Sequence, residues 1–375
     1  MREVGYPPKP TKYVVYAYPI FKRVSFSVIG EKHVEQLRKY FRVTSIDERA
    51  VPYAHFVSKP LMLMQPYFYP LGWMGPRFVN VLNRVDGLIG VDVADSDRLS
   101  EKAVKQTNYA DALIVPSEYS RRAYVNSGVK KPVHVVPHGV DEWWITHERK
   151  KPNLFQQYQK LKEERGYKIL LSFVPHSPHR KGMDILVKTY EELLRERRDV
   201  LMVVKTGWWT GILPQDIKYI PADDQEKTFP IYARMMQHKV SKKWLREEEL
   251  LELFDLADIY IVAARGGGFE HDGLKALARG VPTIGARGGS WQEYMPEWGL
   301  VDSKPCPRAL IPSDIHVGRG VEMIVDKAVD KIHDILDNLD DYKARAREYR
   351  DEVIRRDYTW DAIGLKLRDV VARYM

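Results

Sequence analysis

Short apolar runs rich in β-branched and aromatic residues recur along this chain, separated by stretches with helical spacing, and that alternation narrows the fold more than any other feature. The first series comprises YVVYAY (13–18), RVTSI (42–46), DGLIGVDV (86–93), DALIVP (111–116) and PVHVVP (132–137). HVEQLRKYF (33–41) has helical spacing, and Ser117 is placed to cap a helix that ends near Gly128. Strands that alternate with helices form parallel sheets covered on both faces.

The alternation lapses over 141–165, a strongly charged stretch expected to connect two domains, and then resumes. KILLSFV (168–174) and VLMVVKTG (200–207) flank a helix expected over about 182–197, in which Met183, Leu186, Val187, Tyr190, Leu193 and Leu194 form one apolar stripe. IYIVAA (259–264), a glycine-rich loop, a helix and PTIGA (282–286) follow. Ser290 and Glu293 have capping-box spacing at a further helix start, and the tail from about 319 reads as helical. A length of 375 residues exceeds the usual single-domain range. The expected architecture is α/β, with two doubly wound Rossmann-like domains facing across a cleft, the first over 1–150 and the second over 151–357.

Composition excludes some function classes and leaves others open. A hydrophobic content of 44% with 29% charged residues is that of a globular protein and argues against disorder. The single cysteine, Cys306, can form neither an internal disulfide nor a zinc site, which fits a reducing compartment. The N-terminal MREVGYPPKP has no apolar signal core, so the expected location is cytoplasmic. LMLMQPYFYPLGWMG (61–75) is too short to span a bilayer. A net charge of +8 suits nucleic acid, a phosphate-rich substrate or peripheral contact with an anionic membrane, and does not choose among them. Few Asn and Gln beside many Lys, Arg and Glu match thermophile usage.

The chemistry concentrates in ARGGGFEHDGLKALARG (264–280), where a strand runs through three glycines into a helix. Ligands of open α/β sheets bind at such strand ends, and the free N–H groups of a first helical turn suit phosphate oxygens. Neither a Walker lysine motif nor G-x-G-x-x-G is present. In SPHRKGMDIL (177–186), Arg180 and Lys181 open a second helix, where two cations can grip a diphosphate. A chain-reversing glycine turn and a solvated basic turn are the plain alternatives, less apt when both loops belong to one domain. In VADSDR (93–98), Asp95 and Asp97 could hold a divalent metal, serve as turn residues, or face a sugar hydroxyl. His176 and His179 lack a third ligand nearby in sequence, so no metal is expected there. The aromatic patch at Tyr67, Phe68, Tyr69 and Trp73 reads as core or cleft wall.

GVDVADSDRLSEKAVKQTNYADALIVPSEYSRRAYVNSGVKKPVHVVPHGVD (90–141) resembles the N-domain segment of retaining GT-B glycosyltransferases, family 4 in particular. RKGMDIL resembles that family's turn for the donor diphosphate, GGGFEHDGLKALARGVPTIGARGGSWQEY (266–294) its donor loop and helix, and YTWDAIGLKL (358–367) its C-terminal helix, which crosses back to the first domain. The resemblance implies a nucleoside-diphosphate sugar as co-substrate, with no metal cofactor. It implies donor contacts from Arg180, Lys181, Gly267, Gly268, Phe269, His271, Asp272, Gly273 and Lys275. Glu270, with Asp272, would orient the sugar, and Asp95 would face it from the other domain. The acceptor would be a glycan, lipid or small molecule, and nucleic acid is not expected.

The sequence departs from the family at several points. The usual pair of glutamates falls on Gly267 and Lys275, although Glu270 resembles a variant with a later first acid. The arginine expected before the lysine turn falls near Pro175 or His176, and YPIFKRVSFS lacks the N-domain double glycine. Alternatives therefore stand beside a transferase: a nucleotide-sugar epimerase, a noncatalytic sugar-nucleotide binder of the same fold, a metal-dependent enzyme using Asp95 and Asp97, and a DNA-binding protein.

Overall fold

The computed structural model describes residues 12–207, 230–231, 233–235, 237–241, 244–310 and 313–375. The N-terminal stretch examined for a signal core lies outside them. Two six-stranded parallel sheets organise these residues. In the first, β1 (Val14–Tyr18), β2 (Val43–Asp47), β3 (Leu61–Met64), β4 (Gly87–Val91), β5 (Ala112–Val115) and β6 (Val133–Val135) lie in the order β2-β1-β3-β4-β5-β6. The second comprises β7 (Lys168–Val174), β8 (Val200–Thr206), β9 (Lys239–Ser241), β10 (Ile259–Val262), β11 (Thr283–Ala286) and β12 (Leu300–Val301), ordered β12-β11-β10-β7-β8-β9. Strand order reverses at β1/β3 and at β7/β10, the crevices where doubly wound sheets take ligands.

The continuous burial of the central strands has a simple cause. On β1, Val15 and Ala17 enter one core cluster while Val14, Tyr16 and Tyr18 enter another, so helices cover both faces. Ser117 caps its helix (Glu118–Asn126) as expected, its Oγ accepting from Ser120 N at 3.1 Å. The apolar stripe from Met183 to Leu194 is buried in the helix Met183–Glu196.

Several local expectations are corrected. The stretch 141–165 contains helices Glu142–Thr146 and Gln156–Arg165, whose Trp144, Ile145, Phe155 and Tyr158 belong to the core of the second sheet. Val140 belongs to the same core. Within 61–75, LMLM is a central strand that the continuous apolar composition masked, and Tyr67 and Phe68 are core while Tyr69 and Trp73 are exposed. The tail begins with a hairpin of β13 (Ser303–Pro305) and β14 (Val321–Met323) before its helices. The last helix, Trp360–Ala372, buries Ile363, Leu367 and Val371 with Ile29, Val34 and Leu37 of the helix Ser25–Leu37, on the first sheet. The crossing point is fixed by Val140 N to Tyr358 O at 2.8 Å and Trp360 N to Val140 O at 3.0 Å. No helix among the described residues is long and apolar enough to cross a membrane.

Candidate donor site

The loops after β7 and β10 flank the order reversal of the second sheet, and the two motifs singled out above lie on them. Gly182 has φ 73°, and a β-carbon there would strike the Ala263 carbonyl, so only glycine lets the turn pack this closely on the β10 exit. Arg265 fastens the loops together. Its buried guanidinium binds both Asp184 oxygens at 2.7 Å, Glu322 at 2.8 Å and the His179 carbonyl at 2.7 Å, while Arg265 N donates to Arg180 O.

Four of the expected residues meet in one charged cluster. The Arg180 side chain is 5% exposed; its Nη1 donates to Gly266 O at 3.0 Å and lies 3.4 Å from Asp95 of the opposite domain and 3.9 Å from Glu270. Lys181 Nζ donates to both Glu270 oxygens, at 2.6 and 2.7 Å. Burial would raise the Asp95 pKa, but Arg180, with His316, Lys181 and His176, outweighs it and holds the carboxyl below its usual range. Asp272 is pushed up by burial against the fields of Lys275 and Lys181. Asp97 turns elsewhere, its Oδ1 accepting from Arg319 N at 2.6 Å, so the two acids of VADSDR do not share one site. No group of three or more metal-ligating side chains occurs among the described residues.

The glycine-rich loop is held by hydroxyls from both domains. Ser117 Oγ donates to Gly268 O at 2.7 Å across the cleft, and Ser290 Oγ to Gly267 O at 2.7 Å. Phe269 is buried against Tyr294 and against His138 of the first domain's last loop. Tyr294 also donates its hydroxyl to Glu270 O and packs on Gly273. His271 Nε2–H donates to Gly139 O at 2.7 Å; burial, then Lys275, lowers its pKa to about 3, so the imidazole is neutral.

Lys275 pairs with Glu247, at 3.3 Å, and its ammonium stands 4.7 Å above the Trp144 ring. The capping-box expectation needs correction. Ser290–Glu293 is a 3-10 turn with no side-chain cap. Glu293 instead crosses the cleft and accepts from Glu118 N at 2.9 Å and Tyr119 N at 2.8 Å, at the start of the first domain's helix. The capping-box spacing therefore does not mark a helix start here: Ser290 Oγ goes to Gly267 O, and the Glu293 carboxylate serves a helix distant in sequence. Glu247, Trp144 and the segment 313–320, which hydrogen-bonds 96–100 through pairs such as Ser100 N to Ile315 O and Val317 N to Arg98 O, went unread because their roles depend on contacts distant in sequence.

No model of a known protein family matches the chain. Uncharacterized protein 356 of Sulfolobus islandicus rod-shaped virus 1 is 31% identical over 374 residues, covering 97% of this chain and 99% of that protein. The chain belongs to that protein's family. A putative glycosyltransferase 45 of the Sulfolobus islandicus filamentous virus (isolate Iceland/Hveragerdi) is 26% identical over 208 residues, covering 54% of this chain and half of that relative. Among solved structures, HepE of Anabaena, crystallised with UDP and glucose, superposes with a TM-score of 0.67 at 12% identity, covering 97% of this chain and all of that one. The fold of the chain is therefore GT-B, as the residues 90–141 and 266–294 implied.

Proposed function

We propose that the chain is a retaining, metal-independent glycosyltransferase that moves a sugar from a nucleoside-diphosphate sugar to an acceptor hydroxyl. One observation carries the reading: Arg180, Lys181, Glu270 and Asp95 converge from both domains at the order reversal of the second sheet. Likeness in fold to HepE, solved with UDP and glucose, supports the same ligand class.

The barrier in such a transfer lies in breaking the bond between the anomeric carbon and the diphosphate through an oxocarbenium-like state. Charge builds on the departing diphosphate, where Arg180, Lys181 and the N–H groups opening the helix His271–Ala278 would receive it. Glu270, with Asp272, would orient the sugar hydroxyls, and Asp95 would stand on the sugar's other side. The tight seam formed by Ser117, Gly268 and Phe269 would exclude water and so limit hydrolysis of the donor.

A noncatalytic binder is the second reading, favoured by the internal neutralisation of Lys181 by Glu270 and of Arg180 by Asp95. Thermal-shift measurements with UDP, ADP, GDP, dTDP and their sugars, followed by transfer assays with and without chelator, separate the two. Stabilisation by a nucleoside diphosphate together with chelator-resistant transfer supports the proposal. Binding without release of diphosphate under any acceptor supports the binder, and rescue of a chelated protein by manganese or magnesium overturns metal independence.

A further inference from the structure

The contact between Glu270 and Lys181 does more than close an ion pair. Both carboxylate oxygens sit on one ammonium, at 2.6 and 2.7 Å, and Arg180 stands 3.9 Å from the nearer oxygen. This is the arrangement of cations that a diphosphate oxygen would demand, met instead by a side chain. The backbone is shaped for it. Glu270 has φ 54°, a left-handed conformation that non-glycine residues adopt at a cost, and the Tyr294 hydroxyl bonds its carbonyl at 2.6 Å. A β-carbon on Gly267 would collide with the Glu270 carboxylate, so the glycine leaves room for the carboxylate to fold back over the loop. The Arg180 Nε, in a side chain that is 5% exposed, has no acceptor among the described residues, which leaves the same guanidinium a donor for a further anion.

We infer that Glu270 is a built-in competitor of the diphosphate for Lys181, displaced each time a nucleotide binds. The inference rests on the nucleotide-sugar reading above and gives Glu270 two stations: on Lys181, and on the sugar once the diphosphate has taken its place. Exchange of one anion for another keeps the buried ammonium paired throughout, and removal of the Glu270 carboxylate without replacement would be strongly unfavourable. It also holds back ligands that lack a diphosphate, because only a strong anion compensates for the lost ion pair. Apparent affinity is the intrinsic affinity reduced by the fraction of molecules in which Glu270 has let go, so a non-ionised residue at this position removes that reduction.

The experiment is calorimetric titration of UDP, ADP, GDP, dTDP and inorganic pyrophosphate into the parent chain, Glu270→Gln and Glu270→Asn, with circular dichroism to verify folding. Asparagine tolerates the left-handed conformation, so the second variant guards against backbone strain in the first. Both variants should bind UDP and pyrophosphate about tenfold more tightly than the parent while transfer activity falls. A parent that binds UDP, with both variants binding equally or more weakly, overturns the inference and leaves the nucleotide-sugar reading standing. Failure of both variants to fold also overturns it, by showing that the contact is structural. Absence of binding by all three chains to UDP, ADP, GDP and dTDP removes the nucleotide-sugar reading, and the inference with it.

Discussion

The two halves of the molecule share an architecture and differ in how they treat charge at the cleft. Each is a six-stranded parallel sheet with a strand-order reversal. In the first half, polar groups near the cleft bind mainly backbone: Asp92 accepts from Phe68 N and Val93 N, and Ser117 caps its own helix while donating to Gly268 O across the cleft. In the second half, Arg180, Lys181 and Glu270 are paired with one another and with Asp95 across the cleft. A doubly wound sheet thus supplies a crevice without dictating its chemistry. The chemistry comes from side chains that the loops leave unsatisfied by backbone.

If that contrast is sound, removing a cation from the second half should matter more than removing a cap from the first. Arg180→Ala should have the largest effect, since it strips Asp95 and Gly266 O of a buried partner; about 3 kcal/mol of stability should be lost in denaturant unfolding. Nucleoside-diphosphate affinity should fall with it. Lys181→Ala, in a less buried side chain, should leave the fold intact. Titration should then show affinity for the preferred diphosphate weaker by about one to two decades, the worth of a charge-assisted hydrogen bond of roughly 1.5–3 kcal/mol. Unchanged affinity would leave Lys181 only the structural role of pairing with Glu270.

A pH series sharpens the comparison further, because buried histidines occur in both halves. Burial lowers the pKa of His33 to about 3 in the first half, and of His179 to about 4 and His271 to about 3 in the second. The unfolded chain takes up protons near pH 6.5, so it binds more protons than the fold between 6.5 and these lowered values. Stability is therefore full above pH 6.5 and should decline as pH falls from 6.5 toward about 3–4, read as a drop in Tm. His271→Gln keeps a donor for Gly139 O without titrating and should flatten that slope; an unchanged slope would show that His271 is already exposed to protons.

Smaller effects test the seam itself. Lys275→Ala removes an ion pair to a Glu247 side chain that is 38% exposed and a contact with the Trp144 ring, so stability should fall by about 1 kcal/mol with diphosphate affinity unchanged. Weaker binding of diphosphate by this variant would move Lys275 into the donor site. Ser117→Ala loses a helix cap and the bond to Gly268 O, and should likewise cost about 1 kcal/mol.

The sequence by itself determined the alternation of strands and helices, because burial of a sheet on both faces writes apolar runs and a helical stripe directly into local composition. It also marked the loops that meet at the strand-order reversal, since glycines that admit close approach and cations at helix starts are local signals: Gly267, Arg180 and Lys181 stood out on that ground. Pairing was not. Nothing near Lys275 in sequence points to Glu247, a separate helix away, and the capping-box spacing of Ser290 and Glu293 suggested a local helix start where the Glu293 carboxylate instead binds Glu118 N and Tyr119 N in the other domain. The strand LMLM and the helix around Trp144 were likewise obscured, one by uniform apolarity and the other by flanking charge. A charged group's partner is whichever opposite charge or backbone donor the fold brings within about 3 Å, and that distance is set by the packing of elements far apart in the chain. Only the tertiary structure could decide that Glu270 lies on Lys181 and Asp95 beside Arg180.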